Sequence, residues 1–246
     1  MASPLVLRED QDGVTHLVLN RPDKLNALNV EVFHELRNHV ADIAADESVR
    51  CVILRGAGKC FSAGHDLGDI AEGEDVPSPF WHSETLRLME TLPKPVIAAV
   101  HGHCYTGALE VALAADFILA SSDARFGDTH AKWALTPIWG MSQRLPRRVG
   151  TATAKRLMFT CEMFKAEEAF RIGLCEAVYP AESFLEDVGA MAVAIAQNSG
   201  FSHAANKRLL QTTDGLTLDA GLLQEAMKTE GVGPDMQERV AAFLKK

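Results

Sequence analysis

Two loops in this 246-residue chain have the composition of sites that stabilise negative charge. Cys60-Phe-Ser-Ala-Gly-His-Asp-Leu67 follows the apolar run 51–54, and Gly102-His-Cys-Tyr-Thr-Gly-Ala-Leu-Glu110 follows the apolar run 95–100. In each, a strand pattern ends in a glycine-containing turn and a helical pattern begins. Such turns leave unpaired backbone N–H groups in the crevice at the carboxyl ends of strands. Two converging N–H groups suit an anion, or an oxygen that becomes negative during a reaction. Glycine turns after strands also occur where nothing binds, so the pattern alone leaves both readings open.

Other chemistry-bearing residues are less specific. His101 and His103 flank Cys104 at i, i+2 spacing, but nothing at helical ligand spacing completes a metal site, so no metal is expected. Gly56-Ala-Gly-Lys59 resembles a phosphate loop but lacks its first glycine and the following Ser or Thr. With no GxGxxG fingerprint and no GxSxG elbow, a dinucleotide cofactor and a serine hydrolase are both disfavoured. Asp66 suits a turn, where Asp hydrogen-bonds its own loop.

The elements that must position these loops read as an α/β protein. A strand over 15–19 closes in Asn20-Arg-Pro-Asp23, and a helix capped by Asn29 runs to Ala45 with Val32, Leu36, Val40 and Ile43 on one face. Buried strands are expected at 51–54, 95–100 and 117–120, with a helix over 107–115. Strand and helix alternation implies a largely parallel sheet. After Glu182 the strand signal ends, and helices are expected over 183–198, 202–211, 217–228 and 234–245. The domain reading is therefore an α/β core over 1–182 and a helical C-terminal region over 183–246. The acidic stretch Ala71 to Pro79 reads as a mobile surface loop.

Composition bounds the class. A charged fraction of 23% and a net charge of −9 fit a soluble domain without the basic face that nucleic acid requires. Five cysteines without a CxxC pair suit reduced thiols. The longest apolar stretch, 111–120, is broken by Asp116 and is too short to cross a bilayer. A cytoplasmic location without membrane attachment is expected.

The loops and their neighbours resemble the enoyl-CoA hydratase/isomerase (crotonase) family. Asn20-Arg-Pro-Asp-Lys-Leu-Asn-Ala-Leu-Asn29 looks like its N-terminal coenzyme A signature, and Phe61-Ser-Ala-Gly-His-Asp-Leu67 like its FxAGxDL segment. Pro93-Lys-Pro-Val-Ile-Ala-Ala-Val-His-Gly102 is similar to the strand before the second loop. Phe126-Gly127, Gly173-Leu174 and Val240-Ala-Ala-Phe243 continue the match in order, nearly to the C-terminus.

The resemblance implies a spiral of repeated ββα turns followed by helices that complete the acyl-CoA site and mediate a homotrimer or hexamer. It implies an acyl-CoA thioester substrate, with coenzyme A entering as part of it and no separate cofactor. The thioester oxygen would sit between the backbone N–H groups of His65 and Gly107, with the His65 ring turned away. Lys24, Leu25, Ala27, Ala63, Gly64, Asp66, Leu67 and Trp133 would contact substrate or coenzyme A. Arg21, Lys245 and Lys246 are further candidates for its phosphates. Trp81, Trp133 and Trp139 would lie near the acyl group, where bulk favours a short or flat chain.

Glu110 matches the first of the two glutamates that hydratases of the family use. The second position holds His130, a departure from the pattern. Three readings follow: His130 pairs with Glu110 to hydrate a 2-enoyl-CoA, Glu110 works alone in an isomerase or decarboxylase, or His130 merely lines the pocket. A catalytically weak acyl-CoA-binding protein is the alternative outside catalysis.

Overall fold

The computed structural model describes residues 3–228 and 230–245. Its larger sheet is assembled from β1 (Val6–Gln11), β2 (Val14–Leu19), β3 (Cys51–Gly56), β4 (Val96–Val100), β6 (Phe117–Ser121) and β9 (Ala177–Tyr179), in the order β1-β2-β3-β4-β6-β9. Only the β1–β2 hairpin is antiparallel; the remaining neighbours run parallel. A parallel strand is covered on both faces and so reads as continuous apolar sequence. That is why β3 and β4 are visible in the sequence. β1 is not, because its residues grade from buried Val6 to exposed Asp10 at a sheet edge.

A second sheet contains β5 (His103–Tyr105), β7 (Arg125–Gly127) and β8 (Phe164–Lys165). Single bridges between Leu28 and His65, and between Ser62 and Cys104, extend it toward the N-terminus. Each turn of chain thus lays a long strand in the first sheet, a short one in the second, and then a helix. This is the ββα spiral that the family resemblance implies. The short strands are two or three residues long and carry no periodicity of their own.

The helix α1 (Val30–Ala45) starts where expected, with Asn29 Oδ1 accepting the Val32 N–H at 3.0 Å. It buries Val32, Phe33, Leu36, Val40 and Ile43. The helix α4 (Gly107–Leu113) is wholly buried, and two i to i−3 bonds from Ala114 and Ala115 tighten its exit short of residue 115. Between them lie α2 (Leu67–Glu72) and α3 (Trp81–Glu90). The stretch read as a loop from Ala71 therefore begins inside α2, and its Glu74 bonds inward to His65.

Met141–Val149, Thr151–Thr160 and Ala166–Arg171 form α5, α6 and α7. All four C-terminal helices are present: α8 (Phe184–Ala196), α9 (Gly200–Thr213), α10 (Leu218–Lys228) and α11 (Met236–Leu244). The first of them differs from the rest. Phe184, Val188 and Ala192 of α8 pack against Cys51, Ile53, Ile97 and Leu119, closing one face of the large sheet. By contrast α9, α10 and α11 bury no residue. Among the described residues, no helix is long and apolar enough to cross a membrane.

Candidate active site

The two glycine loops meet. In the first, the Gly64 carbonyl accepts the Leu28 N–H and the Leu28 carbonyl accepts the Asp66 N–H, each at 2.8 Å. That pattern uses residues 64 and 66, so the intervening His65 N–H points to the opposite edge. Gly64 has φ +105°, and a Cβ there would stand 2.6 Å from the Tyr105 carbonyl oxygen of the second loop. A Cβ on Gly107 would stand 3.2 Å from the His65 nitrogen and 2.6 Å from Trp139 Cζ3. Only glycines let the loops approach this closely. Gly107 opens α4, so its N–H belongs to the first helical turn, which has no intrahelical acceptor.

Thr106, between the loops' contact and α4, holds φ 51° and ψ −109°, a strained conformation for a β-branched residue. The surroundings impose it. Its N–H donates to the Gly127 carbonyl at 2.9 Å, and its hydroxyl pairs with the Thr129 hydroxyl at 2.6 Å and accepts the Thr129 N–H at 3.0 Å. These bonds tie the Gly107 loop to the segment that carries His130.

Glu110 is 1% exposed. Its Oε1 accepts the Trp139 and Met141 N–H groups at 3.0 and 2.9 Å, which fixes the carboxylate and leaves Oε2 toward His130. Burial pushes the Glu110 carboxyl up to about 6, against the opposing pull of those N–H groups and of His130. Its ionisation then falls within the range useful to a general base. His130 Nε2 lies 3.7 Å from Glu110 Oε2. His130 Nδ1 lies 2.6 Å from Asp128 Oδ1. Burial works to lower the His130 imidazole, yet Asp128 and Glu110 together raise it above its ordinary value. The result is a carboxylate–imidazole–carboxylate row, almost wholly buried.

A cavity of about 260 Å³ is lined by Glu110 and His130, with Asp128 behind the imidazole. Of the residues expected from sequence, Ala63, His65, Leu67, Gly107, Glu110, His130 and Trp133 line it. Gly64 and Asp66 support the first loop from behind. Asp66 Oδ1 caps α2 through the Gly68 N–H, and its Oδ2 pairs with Arg21 at 3.1 Å. That pairing, with a bond from Arg21 Nη1 to the Ala27 carbonyl, commits Arg21 to the fold rather than to a phosphate.

Lys24, Leu25 and Ala27 do not line the cavity. They lie on the adjoining loop, where the Leu25 carbonyl accepts the Ala63 N–H at 2.9 Å and Lys24 is exposed. Lys245 is exposed in the last turn, and Lys246 lies outside the described residues. The tryptophans divide. Trp139 and Trp133 line the cavity, buried and half exposed respectively, whereas Trp81 packs on His34 and beneath the Arg37 guanidinium. His101 bonds to the Gly58 carbonyl and His103 stacks on Tyr105, so each has a structural partner.

His65 lines the cavity; its ring lies 4.5 Å from the Trp139 ring, and its Nε2 meets Glu74 Oε1 at 2.6 Å. Sequence reasoning missed Glu74, whose loop has no periodicity, and Asp128. The signal for Asp128 was present: an Asp side chain bonds readily to the backbone N–H two residues on, and here Asp128 Oδ1 accepts the His130 N–H at 3.2 Å.

Comparison with known proteins shows the family. The family model for enoyl-CoA hydratase/isomerase matches residues 9–246. The short-chain-enoyl-CoA hydratase of Clostridium acetobutylicum is 34% identical over 98% of this chain and 95% of its own length. The crotonyl-CoA hydratase of Syntrophomonas wolfei is 33% identical, over 100% of this chain and 97% of its own. The crystal structure of an enoyl-CoA hydratase from Bacillus anthracis superposes with a TM-score of 0.93 at 33% identity, covering 98% of this chain and 96% of that one. This chain belongs to the enoyl-CoA hydratase/isomerase family, and its fold is the crotonase fold. Isomerases acting on coenzyme A thioesters also stand among its relatives.

Proposed function

We propose that this chain is an enoyl-CoA hydratase that adds water across the double bond of a short or flat 2-enoyl-CoA. The observation that carries the reading is Glu110. Its carboxylate is clamped through Oε1 by two backbone N–H groups and presents Oε2 to His130 Nε2 across 3.7 Å, beside the paired loops of His65 and Gly107. In this reading the thioester oxygen accepts both backbone N–H groups. Water attacks C3, the double-bond electrons move to the thioester oxygen, and the enolate is stabilised by donors already in place. Such a donor is worth roughly 3–4 kcal/mol in the transition state. A proton then reaches C2, giving the 3-hydroxyacyl thioester. Water and thioester supply every atom, so the reaction calls for no redox group or metal.

The cavity size and its Trp133 and Trp139 walls support a small or planar acyl group. Ala63 and Leu67, with the adjoining loop of Lys24, Leu25 and Ala27, would receive the coenzyme A portion. Exposed Leu218, Leu222, Leu223, Met227 and Phe243 on α10 and α11 support self-association, as a trimer or a hexamer. Five free cysteines, four of them buried, support a reducing, cytoplasmic location.

The test is the absorbance of the conjugated enoyl thioester when purified protein meets crotonyl-CoA. Loss of the band, with 3-hydroxybutyryl-CoA as product, is expected. An unchanged band with coenzyme A thioester binding measured by calorimetry would sink hydration. The isomerase relatives make a proton shift on Glu110 alone the next reading to try, before decarboxylation or simple acyl-CoA binding.

A further inference from the structure

Asp128 has no role in the reading above. It lies between β7 and the tight helical turn His130–Trp133 and is 1% exposed. Its Oδ1 accepts the His130 main-chain N–H at 3.2 Å and meets the same residue's Nδ1 at 2.6 Å. Its Oδ2 is buried with no hydrogen-bond partner among the described residues. A buried carboxylate stays charged only where nearby groups compensate it. Here the groups at hand both belong to His130.

Contact with a carboxylate decides which ring nitrogen keeps its hydrogen. Nδ1 donates to Asp128, so Nε2 is the atom free to exchange a proton. That atom faces Glu110 Oε2 at 3.7 Å, beyond a direct hydrogen bond but close enough for one shared atom to touch both. The Thr129 N–H and hydroxyl bonds to Thr106 hold the intervening residue, so the Asp128–His130 segment is anchored to the loop that ends in Gly107.

We propose that Asp128 is a positioning residue that locks His130 with Nδ1–H bonded to its carboxylate, so that Nε2–H delivers the proton to C2 of the substrate. The proposal rests on the hydratase reading. Its steps balance. The C3–O bond forms as a water O–H breaks, with that proton passing to Glu110 Oε2. The enolate then collapses, C2 taking the proton from His130 Nε2 and leaving a neutral imidazole with hydrogen on Nδ1. After product leaves, Glu110 returns its proton across the gap to Nε2, and the starting state is restored. The charged groups acting on His130 are Asp128 and Glu110; both favour the imidazolium and oppose its burial.

The experiment is Asp128→Asn in the full chain, which keeps the shape and removes the charge. With crotonyl-CoA, kcat should fall about 100-fold with KM nearly unchanged, the range for losing one acid–base partner. The alkaline limb of the kcat–pH profile should move to lower pH, because an imidazolium without its carboxylate loses its proton more readily. Nitrogen NMR of the substrate-free protein should find the hydrogen on Nδ1 in the wild type, with a titration that drops in the variant. If Asp128→Asn does not fold, Asp128→Ser carries the same measurements. A wild-type kcat with an unmoved limb, or a His130 titration indifferent to the substitution, overturns the proposal. A wild type that leaves crotonyl-CoA intact, while the NMR shift is present, overturns proton delivery to C2 together with the hydratase reading. The Asp128–His130 lock would survive that result.

Discussion

The cavity wall and the C-terminal helices handle burial in opposite ways. Around Glu110, His130 and Asp128, polar groups are withdrawn from water and satisfied within one chain: two N–H groups on one carboxylate, an imidazole on the other, a threonine pair between. Two exceptions are unpartnered among the described residues: Trp139 Nε1, in that wall, and Asp128 Oδ2, behind His130. On α9, α10 and α11 nothing is buried, and apolar side chains as large as Leu222 and Phe243 face outward. Unpaired polar groups are costly inside, and broad apolar surface is costly outside. The comparison teaches that one region completes its interactions alone, whereas the other leaves an apolar surface that a second chain could cover.

The largest way to break the comparison is Glu110→Gln. An amide still fills the space, and its oxygen can accept the Trp139 and Met141 N–H groups, but it cannot take a proton. Hydration should fall by about 10³-fold or more, at the upper part of the range for a general base, with acyl-CoA binding kept. Retention of turnover would remove Glu110 from the chemistry.

Gly107→Ala should be next. Its methyl would meet the Trp139 ring and crowd the His65 nitrogen. A donor displaced by part of an ångström should lower kcat by about 100-fold. Normal kinetics in that variant would show that the two N–H groups need not be so close.

Acidity gives a smaller and graded effect. A Glu110 carboxyl raised to about 6 must be ionised to act as base, so kcat should decline as pH falls through that value. Each further unit of acid should cost about tenfold, the limit for a single protonation. A limb at ordinary carboxylate pH would mean that the site is wetter than its burial implies.

The smallest expected effect on chemistry comes from Leu222→Asp with Leu223→Asp. Light scattering should register a lighter assembly, and KM for the thioester should rise if assembled helices complete the substrate site. The acid limb should stay in place. A shifted limb would show that the two regions are coupled after all.

Much of this was legible in the residues. β3 and β4 declare themselves as apolar runs because parallel strands are covered on both faces, and α1 declares its cap and its buried stripe. The glycine loops were visible as types of turn, and family resemblance supplied their pairing. β1 was missed because an edge strand needs only one covered end, and β5, β7 and β8 because two or three residues hold no period.

By itself, the sequence determined which residue types were available: glycines that admit close approach, a glutamate three residues after one of them, and a histidine where a second glutamate is usual. Tertiary structure alone decided what those types became. It carried Trp139 and Met141, 29 and 31 residues downstream, back onto Glu110, and it placed Asp128 and Glu110 on opposite sides of one imidazole. Proton affinity depends on burial and on charges within a few ångströms. Asp128 is a chain neighbour of His130, but Glu110 meets His130, Trp139 and Met141 from a separate stretch of chain, so no local pattern could specify those contacts.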